Sequence, residues 1–177
     1  VTEPQLIALL GAECSGKTTL AEALSKELPA LDVPEALREF VNVHGRPPTV
    51  DQQRAVMVDQ IAAEEVALDQ ARRAGTPFVV CDPSALMTAI YSIAYYNDRS
   101  LLDEALDRQS AYGLTVWCDI AFPWQAEQGM RDGPEQRALV HDLIASVVDE
   151  FNLPVLVVTG SVAERVQKVS ASLESCE

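Results

Sequence analysis

The residues best suited to chemistry in this sequence stand in a row, Gly11-Ala12-Glu13-Cys14-Ser15-Gly16-Lys17-Thr18, and read G-x-x-x-x-G-K-T. Glycines at that spacing let the main chain curl until successive N–H groups point inward, the geometry that holds a phosphate. A helix starting directly behind the loop adds the positive end of its dipole. Lys17 then reaches the β and γ phosphates of a nucleotide, and the Thr18 hydroxyl is a ligand for Mg²⁺. These residues, with Thr19 next in line, make a candidate binding loop for ATP and Mg²⁺.

Further candidates lie downstream. Phe78-Val79-Val80-Cys81-Asp82 is an apolar run that ends in a carboxylate, the pattern of a buried parallel strand delivering one acid at its C-terminal edge. Asp82 is therefore the candidate acid for orienting Mg²⁺ and its waters, with the cap of the following helix as its alternative role. Glu35 stands just after a short strand, where an acceptor hydroxyl would approach, and suits a general base or a hydroxyl anchor. Its alternative is a first-turn helix acid, and Asp82 can also act as the base. Arg38, one turn later, pairs with Glu35 or holds an anionic substrate. Arg131 and Arg137 lie on either side of a glycine-containing loop, in a lid region at about 122–137, that would close over the phosphates. An arginine on the transferring group is worth about 10³ to 10⁵ in rate, so Arg131 is the catalytic candidate and Arg137 a second nucleotide contact. Trp124 packs under this lid or fills a core edge. Tyr91, Tyr95 and Tyr96 wall a pocket or belong to the core, and neither His44 nor His141 shows a metal-ligand pattern.

Alternating strands and helices must position these groups. Leu6-Ile7-Ala8-Leu9-Leu10 reads as the strand before the loop, and Leu20, Leu24 and Leu28 as the apolar stripe of the helix after it, stopped by Pro29. Residues 30–33 read as a second strand. Thr49-x-x-Gln52 is a capping box that opens a long helix ending near Ala74, before Gly75. Thr115 to Asp119 and Val155 to Val158 complete the strands, Ser100 opens a short helix, Pro134 a longer one, and Ser161-x-x-Glu164 caps the last. This alternation gives an α/β sandwich with a mostly parallel sheet. Ligands of such sheets bind outside the carboxyl ends of the strands, so the loop, Glu35, Asp82 and Asp119 are expected to face one crevice.

Composition narrows the classes. A chain of 177 residues is most simply one domain, 1–177, and 48% hydrophobic against 23% charged residues suits a globular core. Lys and Arg number 13 against 27 Asp and Glu, a formal charge of −14, which argues against a nucleic-acid surface. ATP must then meet its countercharge at short range. Cys14, Cys81, Cys118 and Cys176 have neither metal-ligand spacing nor the density of a disulfide scaffold. No stretch has the length of a membrane span or the pattern of a signal peptide, so a cytoplasmic protein, with homo-oligomer formation open, is the expectation.

Taken together, the loop at 11–18, Pro34-Glu35-x-x-Arg38-Glu39-Phe40, Cys81-Asp82, Pro123-Trp124 and Gly129-Met130-Arg131-Asp132-Gly133-Pro134 resemble the ribosylnicotinamide kinase domain of bacterial NadR-type proteins. They also resemble the stand-alone ATPases and kinases grouped with that domain as AAA-domain proteins. The resemblance implies a three-layer P-loop NTPase fold of the nucleotide-kinase type, with a parallel five-stranded sheet in the order 2-3-1-4-5. It also implies ATP and Mg²⁺ as cosubstrates and a nucleoside-like acceptor, nicotinamide riboside first. By position, Lys17 and Thr18 take the phosphate and metal roles, Asp82 that of the strand-end acid, and Arg131 that of the lid arginine. The alternatives are an ATPase acting as a nucleotide-dependent switch and a regulatory binding module without turnover.

Overall fold

The structure, a computed structural model, describes residues 3–120 and 133–174. Its centre is β1 (Gln5–Leu10), which is flanked by β3 (Phe78–Cys81) and β4 (Tyr112–Cys118); β2 (Ala30–Val33) lies outside β3 and β5 (Leu156–Val158) outside β4. All four pairings are parallel, so the order is β2-β3-β1-β4-β5. That is the order the family resemblance implies.

The period-two rule of a strand explains why β1 is apolar throughout. Ile7 and Leu9 face α1 (Lys17–Glu27) and α7 (Val162–Glu174) on one side of the sheet, packed with Leu20, Leu24, Val166 and Val169. Leu6 and Ala8 face α3 (Val50–Ala74) on the other side, with Ala67, Leu68 and Ala71. Leu10 continues that side toward α4 (Ala85–Tyr96), α5 (Leu102–Gln109) and α6 (Pro134–Glu150). Helix, sheet and helix make three layers, and the two interior strands beside β1 need no polar face. Among the helices of the described residues, α2 (Ala36–His44) alone contributes no buried residue.

Local signals set the boundaries. The Thr49 N–H donates to Gln52 Oε1 at 3.1 Å, closing the capping box of α3, and Gly75 ends that helix at φ 69°. At α7, Glu164 Oε2 accepts the Ser161 N–H at 2.7 Å and Ser161 Oγ accepts the Glu164 N–H at 3.3 Å. The fourth strand begins at Tyr112, earlier than the apolar run from Thr115 suggests. Its register with β1 skips Gly113, and a Cβ there would lie 2.1 Å from Gln5 Nε2, so the glycine makes room for a bulge. The fifth strand begins at Leu156 and the third ends at Cys81, one residue inside the expected limits. Helix α5 starts at Leu102 rather than Ser100, because Asp98 Oδ1 accepts the Ser100 N–H at 2.9 Å and holds the chain in a turn. Pro134 opens α6 as expected, and residues 134–137 form its first turn. Trp124, Arg131 and Cys176 lie outside the described residues. Among the described residues, no helix is long and apolar enough to cross a membrane.

Candidate active site

The glycine loop leaves β1 at Leu10 and becomes α1 at Lys17. A Cβ on Gly11 would stand 2.4 Å from Ser15 Oγ and 3.1 Å from the Cys118 carbonyl oxygen, so only glycine lets the loop fold against the end of β4. Gly16 caps α1 in the left-handed region at φ 83°, and Cys14 adopts φ 53°. Alternating hands of backbone turn successive amides toward one concavity, and α1 begins directly beneath it. Lys17 Nζ donates to the carbonyl oxygens of Gly11 at 2.7 Å and Ala12 at 3.0 Å, which holds the ammonium over the loop.

Two buried arginines fix the loop from behind. Arg165, 1% exposed, donates from Nη1 to the Ser15 carbonyl at 2.6 Å, from Nη2 to that of Asp119 at 3.3 Å and from Nε to that of Gly160 at 3.1 Å. Arg137 donates from Nη2 to the carbonyls of Cys14 at 3.1 Å and Ile120 at 3.3 Å. Its first-turn place on α6 thus brings it to the loop's main chain. Arg165 escaped the sequence reading because it follows a capping box on a polar helix end, where a cation is ordinarily solvated. Replacing Arg165 by Met should strand several buried carbonyls and cost about 3 kcal/mol or more of stability without any nucleotide present, which chemical denaturation would measure. An unchanged unfolding midpoint would contradict this role.

Beside the loop lies a cleft of about 130 Å³ lined by Thr18, Ala21, Glu22, Asp32, Val33, Pro34, Glu35, Arg38 and Asp82. Glu35 and Asp82 thus come together with Thr18, as the strand-end argument expects. Asp82 is 9% exposed and directly follows β3, its N–H donating to the Val33 carbonyl at 3.1 Å. Ser84, rather than Asp82, occupies the cap position of α4. Glu35 caps α2 without a side-chain cap bond, and Arg38 Nε lies 3.7 Å from its carboxylate. Burial raises the Glu35 pKa above the ordinary carboxylate value; Lys17 opposes this, Asp82 adds to it and Arg38 opposes it. Tyr91 of α4 is buried in the core, and burial, with the fields of Glu35, Glu13, Tyr95 and Asp82, pushes its phenol pKa up. Tyr95 and Tyr96 are partly exposed.

Asp119 is the exception to the convergence. It does not line the cleft; its Oδ1 accepts the Ile120 N–H at 2.7 Å, and His141 Nε2, stacked by its ring on Trp117, lies 3.9 Å away. A larger open hollow of about 360 Å³ between β2 and α3, lined by Val33, Pro34, Ala63, Val66 and neighbours, presents no cation. Among the described residues, no group of three or more His, Cys, Asp and Glu side chains could hold a metal ion. Mg²⁺ takes one or two protein oxygens and completes its shell with phosphate and water. A hydroxyl at Thr18 and a buried carboxylate at Asp82 are hard oxygen donors of the right kind.

Comparison with known proteins places this geometry. NadR protein in complex with NR superposes with a TM-score of 0.77 at 18% identity over 96% of this chain, and the chain spans 50% of NadR's length. A second NadR structure, in complex with NAD and AMP-PNP, gives 0.74 at 19% identity. Deoxyadenosine kinase from M. mycoides with bound dATP gives 0.63 at 14% identity, covering 96% of this chain and 99% of that one. Thymidylate kinase from Ehrlichia chaffeensis gives 0.63 at 15% identity, covering 98% of both chains. At these identities the likeness is one of fold, the P-loop nucleotide-kinase fold. No curated protein matches the sequence. The family model described as AAA domain matches residues 6–165, from the second residue of β1 through the loop and both acids to Arg165, and the chain belongs to that AAA-domain family.

Proposed function

We propose that this protein is a small-molecule kinase that moves the γ-phosphoryl group of ATP to a hydroxyl of a nucleoside-like acceptor, with nicotinamide riboside the leading candidate. The observation that carries the reading is the meeting of Thr18, Glu35 and Asp82 in one cleft beside the loop that Lys17 spans. Its structural relatives are kinases of nucleosides and nucleotides, and one holds an ATP analogue.

The loop amides from Gly11 to Thr19 bind the phosphates, and Lys17 swings from its two carbonyls to the β and γ oxygens. Thr18 and Asp82 would hold Mg²⁺, which when bound neutralises charge on the β and γ oxygens. Glu35 orients the acceptor hydroxyl and takes its proton as the acceptor oxygen bonds to the γ phosphorus and the bond to the β-phosphate oxygen breaks, releasing ADP. Arg131, outside the described residues, is assigned to the transferring group by its place in the sequence. Arg137, engaged with the loop carbonyls, acts on the nucleotide by holding the loop.

The cleft also selects by charge. Glu22, Asp32, Glu35 and Asp82 line it against the single Arg38, which already stands 3.7 Å from Glu35. Among the described residues, the lining of the cleft would present a phosphorylated acceptor with an excess of like charge, a cost of several kcal/mol. Steady-state rates with nicotinamide riboside and other nucleosides beside their monophosphates test this. Unphosphorylated acceptors are expected to be preferred on the order of 10²-fold. Preference for the monophosphates would overturn the assignment, and ATP consumption with no phosphorylated product would replace the kinase by a nucleotide-driven switch.

A second test is pH. Glu35 must be ionised to accept a proton, so the acid limb of kcat/KM should fall above the ordinary carboxylate value of 4.5. Linkage gives the matching stability effect. With the folded pKa raised, this group's contribution is complete below its unfolded value and is lost as pH rises through the folded value. Glu35→Gln should therefore raise the melting temperature at about pH 8 and not at about pH 4. A variant that is no more stable than the parent at the higher pH would contradict the burial of that charge.

A further inference from the structure

Two buried polar side chains of α3, Gln60 and Glu64, reach the main chain next to Glu35 and Asp82, Glu64 through the hydroxyl of Tyr112. Glu64 on α3 is fully buried, and the Tyr112 hydroxyl donates to it at 2.9 Å. The same hydroxyl accepts the N–H of Ala85 at 3.1 Å. Ala85 is the first residue of α4, the helix into which Asp82, Pro83 and Ser84 lead. Gln60 lies four residues before Glu64 on the same face of α3 and is 2% exposed. Its Oε1 accepts the N–H of Ala36 at 2.9 Å. Ala36 is the first residue of α2, directly after Glu35.

First-turn N–H groups have no partner within their own helix, so each needs an outside acceptor. Here the acceptors for α2 and α4 are both anchored to one face of α3. Arg108 of α5 anchors that face in turn, donating from Nε to Glu64 at 2.9 Å and pairing with Glu65. Helix α2 has no fully buried residue and Glu35 makes no side-chain cap bond, so the start of that helix is held by the Gln60 acceptor together with Leu37, which packs against the core. A core of apolar side chains would fill this space equally well. Polar groups directed at these two N–H groups instead determine where the segments carrying Glu35 and Asp82 begin.

We propose that Gln60 and the Glu64–Tyr112 pair are positioning residues that set the separation of Glu35 and Asp82 for phosphoryl transfer. The inference rests on the kinase reading above and goes beyond it, since none of these side chains lines the cleft. The test compares Gln60→Met and Tyr112→Phe with Glu35→Gln and Asp82→Asn, using Mg·ATP and nicotinamide riboside. Outer-shell partners of catalytic and metal ligands typically contribute about 10- to 100-fold. Each positioning variant should therefore lower kcat about tenfold, with KM for ATP unchanged. Tyr112→Phe should also raise, several-fold, the Mg²⁺ concentration that gives half of the AMP-PNP thermal shift, as Asp82→Asn does; Gln60→Met should leave it alone. Because that second measurement involves no acceptor, it reads the Asp82 arm whether or not nicotinamide riboside is turned over. If the two direct variants lower kcat while Gln60→Met and Tyr112→Phe change only the melting temperature, the positioning role is overturned and the kinase reading stands. If Glu35→Gln and Asp82→Asn themselves leave kcat unchanged, the kinase reading fails.

Discussion

Alanine in place of Lys17 is expected to abolish the thermal stabilisation that Mg·ATP gives the parent protein and to leave the ligand-free melting temperature nearly unchanged. Lys17 is half-buried, and among the described residues its ammonium is bonded only to two main-chain carbonyls of the loop. The loop's shape depends on other things: the closeness of Gly11 to Ser15 and Cys118, the left-handed Gly16, and the guanidiniums of Arg137 and Arg165. Removing Lys17 thus costs the fold little. Hydrogen bonds from a charged donor are worth about 1.5–3 kcal/mol each, so losing those to phosphate weakens binding by about 10²-fold. Ligand at a hundred times the parent dissociation constant stabilises by about 2.7 kcal/mol, and most of that vanishes after such a loss. Differential scanning fluorimetry with and without Mg·ATP reads both quantities. An undiminished ATP shift would remove the loop from nucleotide binding. The contrast with Arg165→Met, which should destabilise the free protein, separates a ligand-binding cation from a structural one.

Asparagine in place of Asp82 is expected to lower kcat on the order of 10² to 10³ while leaving ATP affinity within a few-fold. The substitution keeps the side chain's shape at a position only 9% exposed, and the main-chain bond from Asp82 to Val33 is untouched. What it removes is the negative charge beside Thr18 that would orient the metal, an electrostatic contribution of several kcal/mol to the transferring state. The loop and Lys17 retain the phosphates. Turnover at saturating Mg·ATP, measured beside the nucleotide-induced thermal shift, separates the two effects. Normal turnover would show that Asp82 serves only the local fold.

The parts of this molecule that the sequence displays are those encoded by neighbours in the chain. The loop shows itself through glycine spacing, β1 through an unbroken apolar run buried on both faces, and α3 through the Thr49–Gln52 box. Each depends on residues a few positions apart. Strand ends also predicted that Glu35 and Asp82 meet, since parallel β2 and β3 are adjacent and both point to the loop. Hidden features rest on distant pairs. Tyr112 and Glu64 are 48 residues apart, and Arg165 and Ser15 are 150 apart. Glu64 reads as one of five acids on α3, and Arg165 as a surface cation, until the fold buries them. The early start of β4 was masked in the same way, because its bulge at Gly113 interrupts the apolar pattern. Asp119 shows the limit of the strand-end rule: it leaves the correct end of β4, yet its carboxylate turns to its own main chain and to His141.

The most direct measurement is the fate of an isotopically labelled γ-phosphoryl group when the protein is incubated with Mg²⁺, labelled ATP and nicotinamide riboside or another nucleoside. Mass spectrometry is expected to find the label on an acceptor hydroxyl, with transfer abolished in the Lys17→Ala and Asp82→Asn variants. Label recovered only as ATP or inorganic phosphate across the nucleoside panel would contradict the assignment of this cleft to phosphoryl transfer.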